Sequence, residues 1–285
     1  MSVKFNRSIA RTLTVAALAT LGVAGTTVAN TPAMAATTDV NMEKVVLAAQ
    51  LDPAKEGTGT TEGAEASVKT VEDALSKEGF LDKKHVDGHF GTSTVTAYSK
   101  FQKSVGATGE GANGLPGKGT LTKLGQKENF NVVNPIELGK KTTVDGKTVN
   151  QRTADMIKAA EKESGVTMPL SQGSYNKGVS ASAGTHDGGG AIDVSVNDMT
   201  DEQRAKAVAG LRKVGFAAWD RTGVANFEPH IHAIAISDTD LASAAWHADQ
   251  NRQVYDYFNG KDGLARHGDD NGPKVPFTTW EDYKR

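Results

Sequence analysis

Apolar residues recur at three- and four-residue intervals in two early stretches, Val68, Val71 and Leu75, then Val95, Tyr98 and Phe101, and predict two amphipathic helices. Between them Val86-Asp87-Gly88-His89-Phe90-Gly91 supplies a turn, a hydroxyl of Thr92-Ser93-Thr94 is placed to cap the second helix, and 120–124 gives a short third helix. Farther along, Met156, Ile157 and Ala160 predict a helix over 152–164 that Gly165 ends, and 166–174 alternates weakly, as a first strand would. Thr200-Asp201-Glu202-Gln203 opens a helix to about 214 with a capping box, its Ala205, Val208, Ala209 and Leu211 inward. Period-two alternation marks strands at 191–196 and 230–236, and 215–219 reads as a third. Leu241, Trp246, Val254, Tyr255 and Phe258 form the apolar set of one or two helices over 239–259.

The stretches without such periods divide the chain. Residues 1–35 read as a secretory signal, with Lys4, Arg7 and Arg11 ahead of an apolar run from Leu13 to Val23 and an Ala33-Met34-Ala35 cleavage pattern. That run is short for a bilayer crossing, and no second one follows, so no membrane span is expected once the signal is removed. Residues 36–63, rich in Thr, Gly, Ala and Glu, read as a flexible linker. A junction over 127–148 carries turn signals at Asn134-Pro135 and Asp145-Gly146, and 260–285 reads as a polar tail that carries Trp280 and Tyr283. The expected fold class is α+β: a small three-helix bundle over 64–126, followed over 148–259 by a helix-flanked, mostly antiparallel sheet.

Charge and composition narrow the function. The formal net charge of −2 becomes more negative once Lys4, Arg7 and Arg11 leave with the signal, which argues against a nucleic-acid partner. With no cysteine in the chain, disulfides contribute nothing, and any metal is held by histidine and carboxylate.

Two short runs bring such groups together: Thr185-His186-Asp187-Gly188-Gly189-Gly190-Ala191-Ile192-Asp193 and Glu228-Pro229-His230-Ile231-His232. Three glycines permit a tight reversal that swings His186 back beside Asp193, while strand alternation points His230 and His232 the same way. Either run alone is compatible with a turn or a polar strand edge. Both in one small domain, in a chain with only seven histidines, point to one divalent metal. A catalytic zinc takes three protein ligands, which His186, Asp193 and His232 supply; Glu228 and His230 then stand beside the open position to handle protons or stabilise an oxyanion. Trp219 and the loop residues Asp220 and Arg221 lie near the top of this arrangement, Trp219 as core or roof and the two charges as solvated or substrate-facing groups. His85, His89, His247 and His267 fall in turns or on a lone helix and stay outside the metal set.

The pattern His-x6-Asp followed by a His-x-His strand, over about 150–237, resembles the zinc D-Ala-D-Ala carboxypeptidase and L-Ala-D-Glu endopeptidase superfamily of cell-wall peptidases. The resemblance implies that the first His, the Asp and the late His bind Zn2+ and that a neighbouring acid is the general base. Pro229 stands three residues before His232, where the family carries that acid, and Glu228 is one residue further off. Ser174-Tyr175-Asn176-Lys177 stands where the family has a Gly-Tyr-Arg-like segment, offering Asn176 or Lys177 in place of the arginine. Separately, Leu75-x4-Phe80, Asp87-Gly88-x-Phe90-Gly91, Thr94-x2-Ala97-x3-Phe101-Gln102 and Gly119-Thr120-Leu121 resemble the three-helix peptidoglycan-binding domain of bacterial wall hydrolases. Together the two resemblances imply a secreted, wall-associated monomer that binds peptidoglycan, stem peptide and glycan, and hydrolyses a stem-peptide bond. The alternative is a non-catalytic peptidoglycan-binding protein with a degenerate peptidase fold.

Overall fold

A strand, Thr38–Asn41 (β1), and a helix, Met42–Leu51 (α1), stand where the composition predicted a flexible linker. The computed structural model describes residues 37–225 and 227–285, and the signal segment expected over 1–35 lies outside the described residues. The Asn41 side chain caps α1 by accepting the Lys44 N–H, and Val40, Met42, Val45, Val46 and Ala49 are completely buried. β1 pairs in parallel with Phe130–Val133 (β2), Thr38 opposite Phe130. The strand therefore owes its order to a partner far along the chain, while the helix carries its own cap and apolar stripe, Met42, Val45, Val46 and Ala49.

The helical region comprises Glu65–Lys77 (α2), Thr92–Ser104 (α3) and Lys118–Glu128 (α4). Val68, Val71, Leu75, Val95, Tyr98, Phe101, Leu121 and Leu124 meet in its centre, where Tyr98 and Phe101 pack edge to face at 5.8 Å. The buried carboxylate of Glu72 accepts the N–H groups of Asp87 and Gly88 and the Thr94 hydroxyl. Thr94 thus ties the turn to α2, and α3 starts from Gly91 without a side-chain cap, contrary to the capping expected there.

This core does not close on itself at residue 64. It is continuous with α1 and with Ala191, Ile234, Trp246 and Val254 from the second half of the chain. Replacing Met42 by Ala is therefore expected to cost about 2–5 kcal/mol in denaturant-induced unfolding, the range for truncating a large buried side chain. A change within about 0.5 kcal/mol would restore the linker reading.

The second half begins with a hairpin, Lys141–Val144 (β3) and Lys147–Asn150 (β4), joined by Asp145 and Gly146, both at positive φ as a two-residue hairpin turn requires. Asn150 caps Gln151–Ser164 (α5), which ends at Gly165 in the left-handed conformation. Leu170–Gln172 (β5), Ala191–Ser195 (β6), Phe216–Asp220 (β7) and His230–Ala235 (β8) form one antiparallel sheet in the order β5-β6-β8-β7. Asp201–Lys213 (α6) joins β6 to β7 and opens with the Thr200–Gln203 capping box. Its buried face is Ala207, Val208, Leu211 and Arg212, while Ala205, expected inward, is exposed. Arg212 is accommodated there by Asp270 at 2.9 Å and the Ala218 carbonyl.

Alternation gives the sheet two chemically different faces. On one, Ile192, Val194, Phe216, Ala218, Ile231 and Ala233 pack with the inward residues of α5 and α6. On the other, Ala191, Ala217, Trp219 and Ile234 join the core shared with the helical region, together with Trp246 of Ser243–Trp246 (α7) and Val254 of Gln253–Phe258 (α8). The tail folds back: Trp280, in Trp280–Lys284 (α9), is buried in the first core, and Glu281 pairs with buried Arg152 at 2.8 Å.

Candidate metal centre

Register determines what the second face presents. Asp193 on β6 lies opposite His232 on β8, which lies opposite Trp219 on β7; one pleat farther, Ser195 lies opposite His230. The Arg221 N–H donates to the His230 carbonyl at 2.8 Å, which extends that second row to Arg221. Residues two apart share a face, so two rows of three side chains stand together: Asp193, His232 and Trp219, then Ser195, His230 and Arg221.

His186 reaches this face from the loop before β6. Tyr175 N–H donates to the Gly188 carbonyl, Asn176 N–H to that of His186, and Gly189 N–H to that of Asp240, which clamps the loop on both sides. The clamp explains the glycines better than a reversal does. A Cβ on Gly188 would lie 2.2 Å from the Asp240 carbonyl oxygen, and one on Gly189 2.8 Å from the Tyr175 hydroxyl. Of the three, only Gly190 sits at positive φ, +73°.

The donor atoms of His186, Asp193 and His232 all lie within 4.8 Å of one another. His186 Nδ1 is 2.9 Å from the Gly173 carbonyl and therefore carries the proton, leaving Nε2 with its lone pair 3.3 Å from Asp193 Oδ1. His232 uses the opposite nitrogen. The Gln253 amide donates to the Gly263 carbonyl at 3.1 Å, so its oxygen faces His232 Nε2 at 3.3 Å and fixes the proton there. Nδ1 then points its lone pair to Asp193 Oδ1, 2.8 Å away. Trp219 stacks on the His232 ring with 14° between the planes, and its indole N–H is held by the Lys261 carbonyl.

Burial alone would raise the Asp193 carboxyl; when His186 and His232 carry protons toward it their hydrogen bonds and charges outweigh burial and hold it well below the usual carboxylate range, and with those two lone pairs free a bound cation would take the protons' place. Burial lowers His232, against the opposing pull of Asp193, and so favours the neutral imidazole that a metal ligand must be. Two neutral imidazoles and one carboxylate, with the outer nitrogens tied to a carbonyl and an amide oxygen, fit a first-row divalent cation. Replacing Gln253 by Ala, which frees the His232 tautomer, is expected to weaken zinc binding about 10- to 100-fold, measured against a competing chelator, while the chain stays folded. Unchanged affinity would leave Gln253 without that role.

The remaining sequence candidates fall differently. His230 sits at the mouth of the cluster, its Nδ1 donating to the Glu228 carbonyl at 2.6 Å and its Nε2 3.7 Å from Asp193 Oδ1. Glu228 is exposed, and its carboxylate makes no hydrogen bond or ion pair among the described residues. Asp220 turns to the other face and binds Arg204 at 2.8 Å. Asn176 and Lys177 are exposed, and Tyr175, at φ 56°, donates its hydroxyl to Asp240. Gln253 escaped the sequence reading, although a glutamine four residues before Tyr257 on a buried helical stripe is a legible signal. Arg221, left open as a solvated or substrate-facing charge, is buried, as its place two residues after Trp219 on the same strand face implies.

Comparison with known proteins agrees with the first half of this picture. Residues 64–124 match the family model described as "Putative peptidoglycan binding domain", so the helical region carries a peptidoglycan-binding domain and associates the chain with the cell wall. No curated protein and no solved structure matches the chain. Among the described residues, no helix is long and apolar enough to cross a membrane.

Proposed function

We propose that this chain is a secreted, wall-bound zinc peptidase that hydrolyses a peptide bond in peptidoglycan stems. The observation that carries the reading is the buried His186, Asp193 and His232 set, its tautomers fixed by Gly173 and Gln253, on the same compact unit as a peptidoglycan-binding domain. Zinc held by these residues supplies a Lewis acid that polarises the scissile carbonyl and lowers the pKa of water. The proton work falls to His230, because its Nδ1–H is committed to the Glu228 carbonyl and its Nε2 lone pair is free beside Asp193. That atom takes the proton of the attacking water and returns it to the leaving amine. Trp219, stacked on His232, keeps water from the inner side of the cluster.

A second reading, a wall-binding protein whose metal only braces the fold, draws on the exposure of Glu228 and on the absence of an arginine in 174–177. Digesting purified walls of several chemotypes with the zinc-loaded chain, and identifying the new peptide termini by mass, separates the two. The peptidase reading expects one type of stem bond to be cut. Intact stems from every wall, with zinc bound, would leave the binding protein.

A further inference from the structure

The loop that carries His186 is fastened to the peptidoglycan-binding domain through one short segment, 240–244. On the inner edge of that segment the Asp240 carbonyl accepts the Gly189 N–H at 2.6 Å, and the Asp240 carboxylate accepts the Tyr175 hydroxyl at 2.7 Å. Main chain rests on main chain there: a Cβ on Gly188 would lie 2.3 Å from the Ala242 nitrogen, and one on Gly190 would lie 3.0 Å from Leu241 Cδ2. Packing this close lets the His186 loop shift only if 240–244 shifts with it.

The outer edge of the same segment is held by residues 109–115, which lie inside the matched peptidoglycan-binding domain. Asn113 donates from Nδ2 to the Leu241 carbonyl at 2.8 Å, and its Oδ1 accepts the Leu115 N–H at 2.8 Å, which fixes the orientation of the amide. Glu110 Oε2 accepts the Ser243 N–H at 3.0 Å and the Ser243 hydroxyl at 3.3 Å. It thereby serves the first turn of α7, a helix too short to hold itself. These bonds are partly buried, so losing one partner leaves a polar group with little water to replace it. Among the described residues, neither Asn113 nor Glu110 bonds to His186, Asp193 or His232, and any influence on the cluster passes through 240–244.

We infer that Glu110 and Asn113 are positioning residues for the metal centre: the peptidoglycan-binding domain sets the place of His186 by holding the segment on which the His186 loop rests. The inference rests on the metal reading of the cluster and not on hydrolysis. Asp193 and His232 are fixed by sheet register, whereas His186 comes from a loop, so it is the ligand whose place depends on packing from outside the sheet. The bond from its Nδ1 to the Gly173 carbonyl orients the ring, but the backbone beneath is held by Asn176, Tyr175 and Asp240. A metal site tolerates ligand displacements of only about 0.2 Å. Loss of the outer grip is therefore read as weaker zinc binding, although all three ligands remain in the chain.

The test uses the full chain and reads zinc affinity by competition with a chelator. Combining Glu110→Ala with Asn113→Ala is expected to weaken zinc binding about 5- to 30-fold, the range for residues that modulate a site without touching it. Glu110→Gln, whose amide oxygen still accepts from Ser243, is expected to stay within about twofold of the wild type. In the metal-free chain, hydrogen exchange at the Gly189 amide is expected to quicken in the double variant, because the Asp240 carbonyl that holds it is released. Val71→Ala, which loosens the bundle core on α2, is the comparison for general destabilisation and is expected to leave zinc affinity within about twofold. The wild-type affinity tests the metal reading, and the ratio of variant to wild type tests the inference. Three results would each overturn it: a folded double variant that binds zinc as the wild type does, Gly189 exchange unchanged in that variant, or a Val71→Ala that loses as much zinc affinity as the double variant. A wild type that takes up no zinc would overturn the metal reading and the positioning role with it.

Discussion

His186→Ala and Asp193→Ala each release the zinc and abolish stem-peptide release, the largest effects expected anywhere in the chain. Each substitution leaves two donors of three. Partial sets bind far more weakly, and the loss exceeds the 10- to 100-fold that disturbing an outer partner such as Gln253 is expected to cause. The two variants differ in what they leave behind. Asp193→Ala removes the carboxylate between two buried imidazoles and so also removes the group that opposes the lowering of His232 by burial. His186→Ala leaves the Gly173 carbonyl without the imidazole N–H that it accepts and opens space in the 173–190 loop. Zinc content by mass spectrometry after desalting, read beside circular dichroism, decides the matter. Stoichiometric zinc retained in both folded variants would remove this site.

The second large effect belongs to His230. Its replacement by Ala is expected to slow hydrolysis by about 10²- to 10⁴-fold, the range for one acid–base or oxyanion group, while zinc stays bound. Glu228→Gln is expected to change the rate by less than about twofold, because that carboxylate points to solvent while the backbone carbonyl, which the substitution preserves, is what orients His230. Sequence spacing alone put Glu228 first, since a carboxylate is the stronger base beside a cation. We place His230 first, because residue 228, held before Pro229, offers its carbonyl to the His230 ring while its side chain is exposed. A rate that collapses in Glu228→Gln and survives in His230→Ala would return the base to the carboxylate.

The meeting of His186, Asp193 and His232 was legible because it is built from the simplest periods a sequence carries. Alternation along Ala191–Ser195 and His230–Ala235 puts Asp193 and His232 on one face, and antiparallel register makes them neighbours. What alternation does not convey is which distant segment supplies the outer contacts. Gly173 and Gln253 come from a loop and a short helix on either side, and nothing local to His186 or His232 announces them. The fold shows the same division. Helices α2, α3, α5 and α6 carry their own apolar stripes, although α6 turned by part of a step to bury Arg212. The segment from Thr38 to Leu51 carries its own helical stripe, Met42, Val45, Val46 and Ala49 behind the Asn41 cap, and the linker reading comes from averaging it with the Gly-, Thr- and Glu-rich stretch over 55–63. The hairpin over 141–150 was visible only as its turn, because its exposed threonines and lysines carry no apolar period.

The most direct test of the central claim is the zinc dependence of stem-peptide release. The full chain is stripped with a chelator, mixed with purified wall, and given zinc in steps while released peptide termini are counted. The account predicts no release without metal and a rate that climbs to saturation at about one zinc per chain, with His186→Ala flat throughout. Release that persists in the stripped protein, or none from any wall at full zinc occupancy, would contradict it.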